Sequence, residues 1–131
     1  MKKILLLAAI ACAAASCQES LEERAAREAR EYTEKNCPVQ ISEAIVSDSL
    51  TFDSKTKTLH YYMSVKGPAD TTAIAQQSAD IRKNMISALK GTTSVRPYKE
   101  AGYNFKYTYS STKHPGRVLY ELTVTKADYN N

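Results

Sequence analysis

The chain has 131 residues, of which 18 are basic and 14 acidic, and its formal charge is +4. This length allows one domain, and the near balance of charge, without a basic run, argues against a nucleic-acid-binding protein. The three cysteines form no CxxC pair and have no His partner at zinc-site spacing, so no zinc or redox site is indicated.

The N-terminal residues have the layout of a secretory signal peptide. Lys2 and Lys3 precede an apolar run, and polar residues begin directly after Cys17. The weakly polar stretch at 4–17 has 14 residues, whereas a spanning helix needs about 20, so a permanent transmembrane anchor is not expected. We therefore predict a signal peptide at residues 1–16, whose removal lowers the formal charge from +4 to +2.

Cys17 is the predicted site of lipid attachment. Two alanines and a serine precede it, and this arrangement resembles the lipobox of bacterial lipoproteins, in which the cysteine receives diacylglycerol and palmitate. Ile10 stands two residues before Cys12, and this bulky side chain fits badly into a lipobox. Cys12 is therefore expected to be removed with the signal peptide. Cleavage by ordinary signal peptidase, which also requires small residues at Ala14 and Ser16, is the alternative and would give a plainly secreted protein.

Gln18 bears on the final location. Gln rather than Asp after the lipidated cysteine is compatible with export from the inner to the outer membrane in bacteria that sort by this position. The predicted location is therefore the bacterial cell envelope, with the protein bound to the outer membrane through lipid on Cys17.

Residues 20–36 predict an amphipathic helix that begins at the capping residue Ser20. Its thin apolar face, built mainly on alanine, predicts weak docking or a spacer role. The face consists of Leu21, Ala25, Ala29 and Tyr32. We accordingly divide the mature chain into a lipidated N-terminus with this helix, at 17–36, and an α+β domain at 37–131.

The rest of the chain predicts two hairpins separated by a helix. Residues 39–53 and 58–66 have strand character, the second with clean alternation, and 70–91 returns to helical spacing. Strands follow at 103–110 and 117–125, before a polar tail. The order α-β-β-α-β-β predicts a single small α+β domain with a four-stranded antiparallel sheet and a helix packed on one face.

Several short motifs resemble a group of small bacterial envelope proteins of unassigned function. The shared pattern is Cys-Pro, an apolar pair, Asp and a Tyr-containing strand, followed in the second half by Gly and a Tyr-x-Tyr strand. Its matches in this chain are Cys37-Pro38, Ile41, Asp48-Ser49, Tyr61-Tyr62, Gly102, Tyr107 and Tyr109. The resemblance covers about residues 36–129 and implies the fold and the envelope location. Ser42 stands where the pattern has an acidic residue, and the later cysteines of the pattern are absent.

No catalytic motif is present. His60 and His114 are the two histidines, and neither has a carboxylate or cysteine at the spacing of a metal site or a catalytic triad. No phosphate-binding, GxSxG or HExxH motif occurs. We therefore expect a protein that is not an enzyme and holds no metal or cofactor.

Nine tyrosines against two phenylalanines are the compositional oddity. Alternation places four of them on the inward faces of strands, where core packing is the simpler interpretation and a tyrosine-rich cleft for a peptide or glycan the alternative. These four are Tyr61, Tyr103, Tyr107 and Tyr109. Val118, Tyr120, Leu122 and Val124 are also predicted to face inward. His60 and Tyr62 alternate outward and are the predicted binding surface.

The leading hypothesis is a non-catalytic envelope lipoprotein that binds an unidentified envelope protein or ligand. The alternative is a periplasmic inhibitor or folding accessory built from tandem αββ units, which would use exposed loop tips such as 111–116.

Cys17→Ala is expected to abolish acyl labelling and to release the protein from membranes, because it removes the only thiol at the predicted cleavage site. Metabolic labelling with a fatty-acid analogue and membrane fractionation measure both effects. Cys12→Ala is the matched control and should change neither, whereas undiminished labelling of Cys17→Ala would refute the assignment.

Overall fold

The computed structural model describes residues 18–130. The predicted signal peptide and the lipid attachment site Cys17 lie outside the described residues. The helices are α1 (Leu21–Asn36), α2 (Ser78–Gly91), α3 (Arg96–Glu100) and α4 (Lys126–Tyr129). The strands are β1 (Val39–Gln40), β2 (Ile45–Asp53), β3 (Thr58–Val65), β4 (Asn104–Ser111) and β5 (Val118–Val124). Within this part of the chain, no helix has the length and apolarity required to cross a membrane.

The described strands form one sheet in the order β1-β2-β3-β4-β5. The α+β class and the two hairpins, β2–β3 and β4–β5, are confirmed. The predicted four-stranded antiparallel sheet is wrong: β1 adds a fifth strand, and β3 pairs with β4 in parallel. The reason is the connection at 66–103, which carries the chain back to the end of the sheet where β3 begins, as a parallel pair requires.

Both larger helices lie on one face of the sheet. Alternate residues of β3, Leu59, Met63 and Val65, face the helices and are buried. The helical layer contributes to the same core, and its buried members are Ala25, Ala29, Leu89, Tyr98 and Tyr129. The opposite face carries the other alternate residues and has no helical layer in the described part of the chain.

Helix α1 is part of this core rather than a spacer. Ser20 caps it as predicted, because its side chain accepts a hydrogen bond from Glu23 N at 3.1 Å. Ala25 and Ala29 are fully buried, and their small side chains let the helix approach the sheet closely. The alanine-rich face therefore favours tight packing, which the sequence analysis interpreted as weak docking.

The side chain of Thr33 in α1 hydrogen-bonds to backbone groups at the exposed edge of β2. Strand β1 pairs only Val39 and Gln40 with this edge, which leaves the backbone of Leu50 without a strand partner there. The Thr33 hydroxyl accepts a hydrogen bond from Leu50 N at 2.9 Å, and its one proton is shared between Leu50 O at 2.9 Å and Ala29 O at 3.0 Å. A side chain thus replaces a missing strand at an edge that would otherwise be open.

The inward residues of the second hairpin are confirmed with one exception. Tyr103, Tyr107 and Tyr109 are buried, but Val118 is 52% exposed, contrary to the prediction. The register of β4 and β5 shifts between Tyr109 and Ser110, and this irregularity turns Val118 outward and buries Leu119.

The C-terminal tail also contributes to the core. Its last turns form α4, and the buried Tyr129 hydroxyl donates to Tyr103 O at 2.9 Å and lies 3.2 Å from Lys99 O. The tail therefore holds the turn between α3 and β4 in place, a role that its polar sequence does not indicate.

Thr33→Val is expected to lower the free energy of unfolding by about 1–3 kcal/mol, because it leaves both polar backbone groups of Leu50 without their side-chain partner. Urea denaturation of the mature protein measures the change. Thr33→Ser keeps the hydroxyl and is the control, with a much smaller effect expected. Equal stability of Thr33→Val and wild type would contradict this role for the hydroxyl.

Candidate functional site

The predicted binding residues His60 and Tyr62 lie side by side on the face of the sheet without helices, which we call the open face. Its central side chains are Thr51, His60, Tyr62, Lys106, Thr108, Glu121 and Thr123. The rings of His60 and Tyr62 stack with centroids 3.9 Å apart and planes at 23°. Tyr62 is 37% exposed, so the pair presents an aromatic surface to solvent. Their use in binding stays a prediction.

A hydrogen-bond chain fixes the His60 ring. Its Nε2 lies 2.7 Å from Thr108 Oγ1, and that hydroxyl lies 2.6 Å from Glu121 Oε2. A threonine hydroxyl has one proton, and the carboxylate takes it, so we assign the donor in the first bond to His60 Nε2–H. Lys106 Nζ completes the chain at 3.3 Å from Glu121 Oε1.

The charges around His60 favour its neutral form. Partial burial and the nearby Lys106 ammonium lower the pKa of His60, and Glu121 opposes them in part. The pKa of Glu121 is lowered mainly by the Thr108 hydrogen bond. The open face therefore combines a neutral imidazole, an ionised carboxylate and an ammonium around an exposed tyrosine.

This arrangement is suited to binding by stacking and hydrogen bonding. Thr108 is almost fully buried, and its hydroxyl donates to Glu121. His114, the second histidine, lies in the β4–β5 loop and is not brought near His60 in the sheet register. Among residues 18–130, no three His, Cys, Asp or Glu side chains form a group that could hold a metal ion.

A second feature, which sequence analysis missed, is an apolar groove of about 460 Å³ on the helical side. It lies where β3 and β4 end, beneath the segment between β3 and α2. Its lining residues are Ile45, Pro68, Ala69, Thr71, Ala73, Ile74, Gln77, Ile81 and Tyr109. We refer to these residues as the apolar groove.

The apolar groove exists because residues 67–77 do not form regular helix. They form two 3₁₀ turns, Gly67–Ala69 and Thr72–Gln77, and Gly67 adopts a φ of +70°, which favours glycine. Ile74 packs against the edge of the core but is only half-buried, so part of its side chain lines the groove. In the sequence, the Gly67-Pro68 pair indicates the end of strand β3 but does not indicate a groove.

Two contacts hold the walls of the apolar groove. The buried Asp70 carboxylate accepts a hydrogen bond from Lys113 N at 2.8 Å, and its pKa is lowered by the Ser111 hydroxyl and by this amide. On the other wall, Tyr120 OH donates to Ser78 O at 3.3 Å. Both contacts attach the 67–78 segment to the second hairpin, so the groove is already shaped without a ligand.

The comparisons with known proteins bear on family and fold. Residues 20–120 match the family described as "Domain of unknown function (DUF8479)". The chain belongs to this family. The matched residues run from the cap of α1 into β5 and so include α1 in the family domain. No curated protein matches the sequence.

Three solved structures share the fold. A protein from Pseudomonas aeruginosa described as secreted aligns with a TM-score of 0.67 at 14% identity, over 86% of this chain and 99% of its own. The type 2 secretion system pilotin EpsS from Vibrio vulnificus aligns at 0.58 and 15%, over 83% and 91%. The type II secretion system pilotin AspS from Vibrio cholerae aligns at 0.57 and 20%, over 88% and 98%. At these identities the likeness establishes the fold alone.

The charges beside His60 predict opposite shifts of its pKa in two variants. Lys106→Gln is expected to raise the pKa of His60, because it removes a nearby cation, and Glu121→Gln to lower it further, because it removes the opposing carboxylate. NMR titration of the His60 ring protons measures both. Shifts of the same sign in the two variants would show that charge on the open face does not control this histidine.

The lowered pKa of His60 also determines how the free energy of unfolding changes with pH. Between the folded and unfolded pKa values of His60, the unfolded chain binds more protons than the folded protein. The contribution of His60 to the free energy of unfolding therefore rises with pH across that window. His60→Gln is expected to remove this part of the pH dependence, as measured by denaturation at a series of pH values below neutrality.

Proposed function

We propose that this protein is a non-catalytic binding module of the bacterial cell envelope, tethered to the outer membrane by lipid on Cys17, whose apolar groove takes an apolar segment of another envelope protein. The observation that carries the proposal is the placement of the apolar groove at the end of the sheet away from the N-terminus of the domain.

The first turn of α1 marks one end of the domain. Glu22 forms an ion pair with Lys57, which lies in the β2–β3 turn. The carbonyl of Lys57 accepts a hydrogen bond from Asn104 N at 2.8 Å. The N-terminus of the domain therefore lies where β3 and β4 begin, and we call this region the N-terminal end.

The apolar groove lies at the opposite end. Tyr109, part of its lining, is five residues beyond Asn104 along β4, and at about 3.3 Å per residue this is roughly 16 Å further along the sheet. A chain anchored just before α1 thus holds the groove away from the membrane surface. The acyl chains proposed on Cys17 enter the membrane at the other end of the domain, and we therefore propose a protein segment as the occupant of the groove.

The lining chemistry fits such a segment. Ile45, Ile74 and Ile81 supply apolar contact, while Thr71 and Gln77 offer hydrogen bonds at the rim. A largely apolar concavity with a few polar groups is typical of a binding site, and side chains of a partner helix or strand can insert into it.

The comparisons support the envelope setting. The three proteins that share the fold are described as a secreted protein and as pilotins of type 2 secretion systems. These descriptions agree with the export signal predicted for residues 1–16. The open face, with His60 and Tyr62, is the other surface that we propose can take part in binding.

Ile74→Asp is expected to abolish recovery of a stoichiometric partner from detergent-solubilised envelopes, because it places a charge in the apolar groove. The measurement is affinity purification of the full lipidated protein followed by mass spectrometry. Ile41→Asp is the matched control, since Ile41 is 55% exposed and lies outside the groove, and it should retain the partner.

A photo-crosslinking residue distinguishes the two surfaces. Placed at Ile74 it should link to one defined envelope protein, and placed at Tyr62 it reports on the open face. Cross-links from Tyr62 alone would move the contact to the open face, and recovery of the protein without any partner would refute the binding module.

A further inference from the structure

A cleft rich in basic residues lies at the N-terminal end of the domain, between the last turn of α2, α3 and α4. Its volume is about 430 Å³. Its lining includes Lys90, Arg96, Lys99, Glu100, Lys126 and Tyr129. We call them the basic cleft. It is separate from the open face and from the apolar groove.

The basic cleft carries excess positive charge. Glu100 is its one carboxylate among the lining residues described, and it pairs with Arg96 at 3.2 Å. Both side chains are about 70% exposed, so water screens the pair and either partner exchanges readily. The neighbouring carboxylate of Asp128 accepts hydrogen bonds from Arg82 Nη2 and from Thr125 N, each at 2.9 Å.

Lys99 links the basic cleft to the end of α2. Its Nζ donates to Leu89 O at 2.7 Å and to Lys90 O at 3.1 Å. The unpaired carbonyls at a helix C-terminus carry partial negative charge, and Lys99 offsets it.

Aromatic contacts join the basic cleft to α1. Tyr98 of α3 donates a hydrogen bond to Glu28 of α1 at 2.7 Å, and its ring stacks on Tyr103 with centroids 5.5 Å apart. Tyr129 holds the same turn from the α4 side. These contacts place the cleft at the end where the chain enters the domain.

The tether leaves this end little room to move away from a membrane. Ser20 caps α1, and only three residue steps separate it from Cys17. At about 3.6 Å per residue, an extended chain holds Ser20 within roughly 11 Å of the lipidated residue. Lipid headgroups therefore lie within reach of side chains at the N-terminal end.

We propose that the basic cleft binds the phosphate groups of anionic lipids and so docks the domain on the membrane that its lipid enters. The inference rests on the lipid tether of the proposed function and adds an orientation to it: the basic cleft faces the headgroups and the apolar groove faces away. Juxtamembrane lysines and arginines are attracted to anionic surfaces in this way, and a lipid with a basic patch gives two membrane signals.

The test uses the processed chain, residues 17–131, with Cys17→Ser so that the acyl chains do not mask a weaker contact. Circular dichroism and thermal unfolding compare its fold with that of the lipidated protein. The probes are vesicles of phosphatidylcholine alone and of phosphatidylcholine with about one third phosphatidylglycerol, measured by co-flotation at low and high salt.

We expect binding to the anionic vesicles only, with loss at high salt. Arg96→Gln/Lys126→Gln should weaken that binding by about 25-fold, since each charge near an anionic surface contributes roughly a fivefold effect. Lys113→Gln/Arg117→Gln, in the exposed β4–β5 loop at the other end, removes one lysine and one arginine as well and should leave binding nearly unchanged.

Equal loss in the two double variants would show that net charge alone drives binding and would overturn the proposal. Absence of binding would overturn it too. Inorganic phosphate, added at constant ionic strength, should compete weakly; complete displacement at millimolar phosphate would identify a site for a free anion instead of a membrane. Vesicle binding tests the docking, and acyl labelling at Cys17 tests the tether. The failure of one can therefore be distinguished from the failure of the other.

Discussion

The parallel ladder between β3 and β4 runs through the centre of the sheet and pairs Thr58 with Asn104 and Val65 with Ser111. Two parallel strands cannot be joined by a tight turn, so residues 66–103 must cross from one end of the sheet to the other. This crossing carries the 3₁₀ turns, α2 and α3, and all of them lie on the face that α1 already covers. The ladder therefore determines which face is buried and which is open.

The crossing also gives the domain two different ends. Where it leaves β3, the 3₁₀ turns place the half-buried Ile74 in the lining of the apolar groove. Where it returns to β4, α2 and α3 end beside α4 and create the basic cleft. One connection thus separates an apolar surface from a cationic one along the strand direction, with the N-terminus at the cationic end. This polarity is compatible with the tethered binding module that we propose.

Tyrosine hydroxyls join the helices to one another and to the sheet. Tyr98 reaches α1 through Glu28, Tyr32 of α1 donates to the buried Ser47, and Tyr129 reaches the backbone before β4. A two-layer domain of this size has few positions that are buried on every side, so a ring whose apolar body fills the core and whose hydroxyl finds a partner near the boundary is well suited. Burial raises the pKa of Tyr61 to about 12, in agreement with its inward placement.

Strand alternation and capping chemistry were sufficient to predict the parts that depend on neighbours in sequence. The two hairpins, the cap at Ser20, the inward tyrosines and the placement of His60 beside Tyr62 on one face all follow from a period of two or from a single local hydrogen bond. The interpretation of residues 20–36 as a weakly docked helix failed because the value of Ala25 and Ala29 depends on how closely a distant strand approaches.

The sequence by itself determined the local elements of this protein, and it is the basis of the predicted export signal and lipid site. Tertiary structure alone decided the direction of β4 beside β3, the Thr33 contact that completes the edge of β2, the outward turn of Val118, the apolar groove and the basic cleft. The physical reason is that each of these brings together residues from separate segments, such as Ile45 with Ile81 or Lys90 with Lys126. Their distances are set by the packing of the whole sheet and its helices, which no local pattern encodes.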